Sequence, residues 1–140
     1  MPMNPIVFRY KPIRGRLGPI ITIGVKIADI WLPIEVYVDS GAAFTVFHAR
    51  TARSIAFDYQ IGELSYLQVG DGGFIPIYLH NLEIQIGTER FTARVGFSEK
   101  LGVGFNLLGR TDIFDRFKIC FQESQGILTF ESGEPGIDQV

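Results

Sequence analysis

Apolar residues fall in short runs along the chain, several of which alternate with polar residues, and glycine separates many of the runs. Ile34, Val36 and Val38 alternate with less apolar neighbours, the period-two pattern of a strand with one buried face. Runs of this kind, rich in Val, Ile, Phe and Tyr, predict strands at residues 6–10, 20–28, 32–39, 64–69, 74–86, 90–97, 117–121 and 127–130. So many short strands favour a mainly β protein with a small closed sheet.

Helical patterns are few. Residues 48–56 predict one or two helical turns. A second signal lies at residues 111–116, where Thr111 is a good capping residue and Ile113 and Phe117 recur at helical spacing. The sequence therefore predicts one short C-terminal helix beside the sheet.

Size and composition indicate one folded domain. The chain has 140 residues, a length typical of a single domain. Hydrophobic residues make up 46% and charged residues 20%, which is too apolar a mixture for a disordered chain. We therefore assign residues 1–131 to one domain and residues 132–140, which are rich in turn formers, to a flexible tail.

Charge and hydropathy argue against several classes of partner. The formal net charge is −2, with 13 basic and 15 acidic residues spread along the chain, so no basic surface for nucleic acid is expected. The most apolar window, residues 19–38, contains Lys26, Asp29 and Glu35 and is not expected to span a membrane. The N-terminal residues lack the pattern of a signal peptide, so a cytoplasmic location is expected.

The single cysteine and the two histidines carry no clear chemical signal. Cys120 lies in an alternating strand pattern and is expected to be a small buried hydrophobe rather than a nucleophile. His48 and His80 have no neighbours at metal-ligand spacing, so we expect surface or turn histidines. No metal and no cofactor are expected.

One carboxylate follows directly on a predicted strand. Asp39 comes after Val38, and Ser40 and Gly41 then turn the chain. An aspartate in this position can present its carboxylate on a tight loop for chemistry. It can equally cap a turn, which is a common use of Asp, and the tetrapeptide ending in Ala42 leaves both interpretations open.

Two further segments bear on that choice. Glycine at a hairpin tip lets backbone amides come close to a ligand. Such a tip is formed by Gly70, Asp71, Gly72, Gly73, Phe74 and Ile75. The other segment is an apolar run that ends in glycine and arginine, namely Leu107, Leu108, Gly109 and Arg110.

In this order the three segments resemble the motifs of the retroviral-type aspartic peptidases, the retropepsin-like family, which also has bacterial members. Residues 39–42 match the catalytic loop, residues 70–75 match the flap, and residues 107–110 match the second signature of that family. The similarity spans residues 20–130, most of the chain. It implies a small closed β-barrel of the acid protease type.

The resemblance also implies an aspartic endopeptidase in which Asp39 is catalytic. It implies that Ser40 hydrogen-bonds across a two-fold axis, that Gly41 receives substrate, and that the flap closes over it. Leu107, Leu108 and Gly109 are expected to pack beside the catalytic loop, and Arg110 is expected to brace the subunit.

A symmetric homodimer is expected from the number of motifs. Peptide hydrolysis of this type needs two adjacent carboxyl groups that share a proton. The chain has one Asp-Ser-Gly motif, so the second carboxyl group has to be Asp39 of a second copy. The expected substrate is an extended polypeptide with bulky apolar side chains near the scissile bond, facing Val46, Ile75, Ile77 and Leu107 by analogy.

The two ends of the predicted domain leave a choice. In the retroviral members both chain ends interleave into a sheet between subunits, and residues 6–10 and 127–130 are apolar segments that fit such a sheet. The alternative is that both segments pair within their own subunit.

The chain departs from the family pattern at two positions. Ala43 stands where an acidic residue often contacts substrate and pairs with the signature arginine, and Asp71 stands where the retroviral flap tip is usually aliphatic. Both departures favour an alternative function, a non-catalytic dimerising or peptide-binding module on the same fold. A third possibility is a latent enzyme whose activity is governed by association.

Overall fold

Most of the residues in the computed structural model, which describes residues 5–133, lie in β-strands. The strands are β1 (Ile6–Arg9), β2 (Lys11–Ile13), β3 (Arg16–Gly18), β4 (Ile20–Ile27), β5 (Ile30–Val38), β6 (Thr45–His48), β7 (Glu63–Gln68), β8 (Phe74–Ile86), β9 (Glu89–Ser98), β10 (Asn106–Leu108), β11 (Phe117–Gln122) and β12 (Ile127–Ser132). One α-helix, α1 (Ala49–Arg53), and two 3₁₀ turns, Tyr59–Ile61 and Glu123–Gln125, interrupt them. None of the helices in this part of the chain is long and apolar enough to cross a bilayer.

Six strands close into a barrel, which confirms the predicted fold class. The hydrogen-bonded order is β4, β5, β10, β6, β9 and β8, and β8 pairs back onto β4 to close the ring. β7 extends the sheet beyond β8 as a long antiparallel hairpin. Two pairs of neighbouring strands in the barrel, β5 with β10 and β6 with β9, are parallel. Parallel pairs place the ends of distant segments at one edge of the barrel.

A separate three-stranded sheet contains both ends of the described chain. β1 pairs with β12, with Ile6 opposite Phe130, and β12 pairs with β11. Of the two possibilities that the sequence leaves open for these segments, this structure has pairing within one chain. Ser132, which falls in the predicted flexible tail, is the last residue of β12, and residues 134–140 of that tail lie outside the described residues.

The main core lies between the barrel and the three-stranded sheet. Ile34, Val36 and Val38 are buried on β5 in the predicted alternation. Phe117 and Phe130 of the smaller sheet meet edge to face, with ring centroids 5.4 Å apart. Burying a phenylalanine side chain of this kind contributes about 2 to 3 kcal/mol. A second, smaller core cluster comprises Ala42, Val46, Leu67, Ile77, Leu79, Leu101 and Leu107.

Four strands were not predicted from the sequence. β6 and β10 have three or four residues that are almost all buried, so they show no alternation of apolar and polar positions. β2 and β3 form a short hairpin whose turn residues, Arg14 and Gly15, have φ of 48° and 80°. Positive φ at both central positions is typical of tight hairpin turns.

The predicted C-terminal helix at residues 111–116 is wrong, because the segment forms successive turns. Two helix-like hydrogen bonds are present, from Phe114 N to the Arg110 carbonyl at 2.9 Å and from Phe117 N to the Ile113 carbonyl at 3.0 Å. Asp112 has φ of 67°, which a helix cannot accommodate. Helix α1, in contrast, lies within the predicted segment 48–56.

The expected surface or turn positions of the histidines and the expected burial of the cysteine are also wrong. His48 is the last residue of β6 and is buried. His80 lies in β8, half-buried, with Nε2 2.6 Å from the Tyr59 carbonyl and its ring against Phe97. Cys120 is exposed on β11. The alternation around Cys120 correctly predicted a strand, but the Cys120 side chain lies on the solvent-exposed face of that strand.

Candidate active site

Asp39 is the first residue after β5, at the edge of the barrel. β5 and β10 run parallel there, with Val38 opposite Leu108, and Asp39 N donates to the Leu108 carbonyl at 3.0 Å. The neighbouring Val38 N donates to the Pro19 carbonyl at 2.9 Å. The backbone on both sides of the strand end is thus fixed by the sheet before the chain turns.

The carboxylate of Asp39 closes the loop that follows this residue. Asp39 Oδ1 accepts a hydrogen bond from Gly41 N at 2.8 Å, and the Asp39 carbonyl accepts one from Ala42 N at 3.2 Å. Asp39 is half-buried, whereas Ser40 and Gly41 are exposed. Capping the turn therefore occupies one carboxylate oxygen. Asp39 Oδ2 accepts no hydrogen bond from any group in residues 5–133. The turn-capping role therefore does not exclude a chemical role for Asp39.

A second loop, at residues 109–111, forms hydrogen bonds with the Asp39 loop. Arg110 N donates to the Ala42 carbonyl at 2.9 Å, and Thr111 donates to the Ala43 carbonyl from N at 2.9 Å and from Oγ1 at 2.8 Å. Gly109 N donates to the buried hydroxyl of Thr45 at 3.1 Å. Backbone groups of two distant segments thus satisfy each other, as buried polar groups must.

Gly109 allows the close approach of these two loops. A Cβ atom at this position would lie 2.2 Å from the Phe44 carbonyl oxygen, 2.4 Å from the Phe44 carbonyl carbon and 2.8 Å from the Ala42 carbonyl oxygen. All three atoms belong to backbone that cannot rotate away. The position therefore requires glycine for space.

A cleft of about 520 Å³ lies between the Asp39 loop and the tip of the β7–β8 hairpin. Its lining brings together residues from four segments: Asp39, Gly41, Ala42, Leu67, Gln68, Val69, Gly70, Asp71, Leu101, Gly102, Val103 and Leu107. Gly72 and Arg110 line an adjoining cleft of about 490 Å³ that shares Gly41 and Gly70. Residues from all three motif segments, 39–42, 70–75 and 107–110, thus meet around one opening.

Several of the expected site residues do not line the cleft. Phe74 is 65% exposed on the hairpin, whereas Leu108 and Gly109 are buried behind the Asp39 loop, consistent with the expected packing beside it. Of the residues expected to give the cleft an apolar lining, Val46 and Ile77 are fully buried in the smaller core cluster. Other expected residues that do not line the cleft of about 520 Å³, called the main cleft below, are Ser40, Gly73 and Ile75. Leu107 does line it, with Leu67, Leu101 and Val103 as further apolar contributors.

The hairpin tip is a tight turn stabilised by its own aspartate. Val69 N donates to the Gly73 carbonyl at 2.8 Å, and Gly72 N donates to the Val69 carbonyl at 2.9 Å. Gly73 N donates to Asp71 Oδ1 at 2.8 Å. Gly72 has φ of +87°, a conformation that favours glycine. The glycines of this tip therefore serve its turn as well as its access to the cleft.

Because residue 43 is alanine, the Asp39 loop lacks the acidic side chain that was expected to pair with Arg110. The ion pairs within residues 5–133 join Lys11 to Glu35, Lys26 to Glu83 and Arg53 to Glu99, and none includes Arg110. Arg110 is exposed beside the adjoining cleft. Its contribution to the loop described above comes from its backbone.

The segment at residues 101–103 is a part of the site that sequence reasoning missed. Leu101, Gly102 and Val103 line the cleft opposite the hairpin. The only signal in the sequence was a glycine-containing stretch between two strand patterns, which ordinary loops share.

Glu99 anchors the start of this segment. Its Oε1 accepts hydrogen bonds from Tyr59 Oη at 2.8 Å and from Arg53 Nη1 at 2.6 Å. The hydrogen bond from Tyr59, together with the charge of Arg53, lowers the pKa of the Glu99 carboxyl below its usual 4.5. Burial raises the pKa of the Tyr59 hydroxyl, and the hydrogen bond to Glu99 adds to this effect.

Glu99→Gln is expected to remove a pH-dependent part of the stability. Because the folded-state pKa of Glu99 is the lower one, its stabilisation is fully present above the unfolded-state pKa near 4.5 and is lost as pH falls through the folded-state value. The difference in free energy of unfolding between wild type and variant should therefore shrink in acid, as measured by urea unfolding at several pH values. Glu63→Gln, at an exposed position on β7, is the control. A difference that stays constant down to low pH would contradict the linkage.

Comparison with known proteins places the fold. No protein-family model matches the sequence, and no curated protein matches it. The structure is similar to a retropepsin-like aspartic protease from Rickettsia conorii, with a TM-score of 0.66, 17% identity, and coverage of 92% of this chain and 91% of that one. It is also similar to EIAV protease in complex with an inhibitor, with a TM-score of 0.50, 19% identity, and coverage of 75% of this chain and 93% of that one. As the sequence motifs predicted, the chain has the retropepsin-like fold.

Proposed function

We propose that this protein is an aspartic endopeptidase that acts as a symmetric homodimer. The observation that carries the proposal is the position of Asp39. It lies on a loop locked by backbone hydrogen bonds, at the mouth of a cleft bounded by a glycine-rich hairpin tip. The retropepsin-like fold, which solved aspartic proteases share, supports the same function.

The chemistry needs two carboxyl groups, and the chain supplies one motif. Two carboxyl groups about 3 Å apart cannot both ionise, so the pair holds one shared proton. The ionised group takes a proton from water as it attacks the peptide carbonyl, and the protonated group donates to the departing nitrogen. The second group is Asp39 of another copy, related by a two-fold axis.

The contacts of Asp39 suit this role. The hydrogen bond from Gly41 N to Oδ1 fixes the rotation of the carboxylate. Oδ2 is left for water, substrate or the second aspartate. Hydrogen bonds from Arg110 N and Thr111 hold the Asp39 loop in place. Preorganisation of this kind is what positions a water molecule for attack.

The other expected roles follow from the same arrangement. Ser40 and Gly41 are exposed at the front of the loop, where Ser40 can reach the second copy and Gly41 can admit substrate. The hairpin tip at residues 70–75 acts as the flap, and residues 107–110 act as structural support. The substrate is an extended polypeptide segment, whose apolar side chains contact Leu67, Leu101, Val103 and Leu107.

A second candidate function is a peptide-binding or dimerising module without hydrolysis. Ala43 favours it, because an acidic side chain that could anchor substrate and pair with Arg110 is missing from the loop. A binding module has no need of a free carboxylate oxygen at Asp39. Detection of new peptide termini separates the two functions directly.

The test is hydrolysis of a denatured protein mixture at several pH values from about 4 to 7, because the mechanism requires the dyad to hold one proton. New termini are identified by mass spectrometry. New cleavage sites that appear only with the protein present support an endopeptidase. No cleavage at any concentration, with retained binding of peptides, would assign the module function instead.

Dimeric catalysis predicts a specific dependence on protein concentration. Below the dissociation constant of the dimer, the rate per chain should rise in proportion to concentration, because the fraction of chains in dimers does. The rate is compared with the fraction of dimer from sedimentation velocity on the same samples. A constant rate per chain from a species that sediments as a monomer would contradict the shared dyad.

A further inference from the structure

The main cleft has an apolar wall and two charged groups, both acidic. Leu67, Leu101, Val103 and Leu107 give it apolar side chains from three segments. Of the residues that line it, those with ionisable side chains are Asp39, which the proposed reaction uses, and Asp71 at the hairpin tip. The cationic Arg110 lines the adjoining cleft instead.

Asp71 presents a fixed carboxylate at the lip of this cleft. Oδ1 accepts the hydrogen bond from Gly73 N at 2.8 Å, which holds the side chain against the tip. The residue is exposed, and no ion pair within residues 5–133 includes it. Its second oxygen is therefore free to accept a hydrogen bond from a cationic ligand group.

We propose that Asp71 is a specificity-determining residue that makes the cleft select polypeptides with lysine or arginine beside the scissile bond. This inference rests on the proposed function and names its substrate class. A long basic side chain has an apolar stem and a cationic head, so the stem packs on the leucine and valine side chains while the head reaches Asp71. Acidic side chains in the same place are disfavoured by both aspartates.

The symmetry of the proposed dimer extends the selection to both sides of the scissile bond. Asp39 lies close to the two-fold axis if it forms the dyad, and Asp71 lines the same cleft as Asp39. The joined cleft of two copies then contains one Asp71 on each side. Basic residues on either side of the bond, among otherwise apolar neighbours, are the favoured substrates.

The competing explanation is that Asp71 only stabilises the tight turn. Asp71→Asn separates the two roles, because asparagine keeps the Oδ1 acceptor for Gly73 N and removes the charge. A matched control is Asp58→Asn. Asp58 is exposed and also accepts a backbone hydrogen bond two residues on, from Gln60 N at 3.3 Å, but does not line the cleft.

The experiment compares two peptides that differ only in lysine or norleucine next to the scissile bond. We measure kcat/KM for each peptide with wild type, Asp71→Asn and Asp58→Asn. The lysine-to-norleucine ratio should fall by roughly fivefold in Asp71→Asn, as expected for loss of a partly exposed ion pair, and should stay at the wild-type value in Asp58→Asn. In wild type the ratio should also fall as salt is added.

The same peptides are tested for binding to Asp39→Asn, with and without Asp71→Asn, so that selection is measured without hydrolysis. Cleavage with the same lysine-to-norleucine ratio in wild type and Asp71→Asn would overturn this inference and leave the proposed function standing. A preference for lysine in Kd that Asp71→Asn removes, without any cleavage by wild type, would support this inference and overturn the proposed function. Absence of both cleavage and preference would overturn both.

Discussion

Asp39→Asn is expected to lower the rate of peptide hydrolysis by about a thousandfold or more while the fold and the dimer are retained. The substitution removes both carboxyl groups of the proposed symmetric dyad, so neither the base nor the acid of the proposed mechanism remains. Asparagine still offers Oδ1 to Gly41 N, and the backbone bond from Asp39 N to the Leu108 carbonyl does not involve the side chain. The loop geometry is therefore preserved.

The measurement is kcat/KM together with the free energy of unfolding for the same preparation. Asp115→Asn, an exposed aspartate outside the cleft, is the control for the change in charge. Mixing wild type with an equal amount of Asp39→Asn adds a second readout, because about a quarter of randomly assembled dimers then contain two wild-type chains. Full activity of Asp39→Asn would show that the carboxylate only caps its turn.

Gly109→Ala is expected to destabilise the protein by about 3 kcal/mol or more, because it forces a methyl group onto backbone atoms. The new Cβ would lie 2.2 Å from the Phe44 carbonyl oxygen. That backbone is held on one side by β6 and on the other by the hydrogen bonds from Arg110 N and Thr111 N. Relief would require separating the two loops, so activity and stability should fall together.

Denaturant unfolding of Gly109→Ala and of Gly102→Ala tests this expectation. Gly102 also lies at the cleft, but a Cβ there meets nothing within 4 Å, so its substitution should change stability by less than about 0.5 kcal/mol. Equal stability of Gly109→Ala and wild type would mean that the two loops are not as closely packed as described.

The sequence predicted those parts of the fold that have a regular pattern. β5 was found because Ile34, Val36 and Val38 alternate with polar positions. β6 and β10 were missed because they are buried on both faces and short. Each of these strands takes part in one parallel pair of the barrel, with Asn106 of β10 opposite Val36 and Thr45 of β6 opposite Val95. No local pattern records partners so distant in sequence.

The motif segments that the sequence singled out contribute residues to one cleft, whereas another part of its lining has no motif. Asp39, Gly41, Gly70, Asp71 and Leu107 meet at one cleft in the structure. The segment at residues 101–103 carries no motif, since its role depends only on where the barrel places it.

The helix expected after Arg110 does not form, and a contact with a distant strand accounts for this. Asp112 has a positive φ, and its Oδ2 accepts a hydrogen bond from Arg94 N at 2.9 Å, on β9. Helical spacing of apolar residues around it could not reveal that bond. The apolar side chains Ile113 and Phe117 are nevertheless buried in the main core.

The joining of the two loops also has a consequence for biosynthesis. Ala43 and Thr111, whose hydrogen bond holds the loops together, are separated by 68 positions. A chain growing on the ribosome therefore displays Asp39 long before its supporting loop has been made, and closing so long a segment is slow compared with forming a hairpin. The complete loop arrangement can form only after residues 109–111 have been synthesised, so the Asp39 loop acquires its hydrogen-bonded support later than it acquires its own turn.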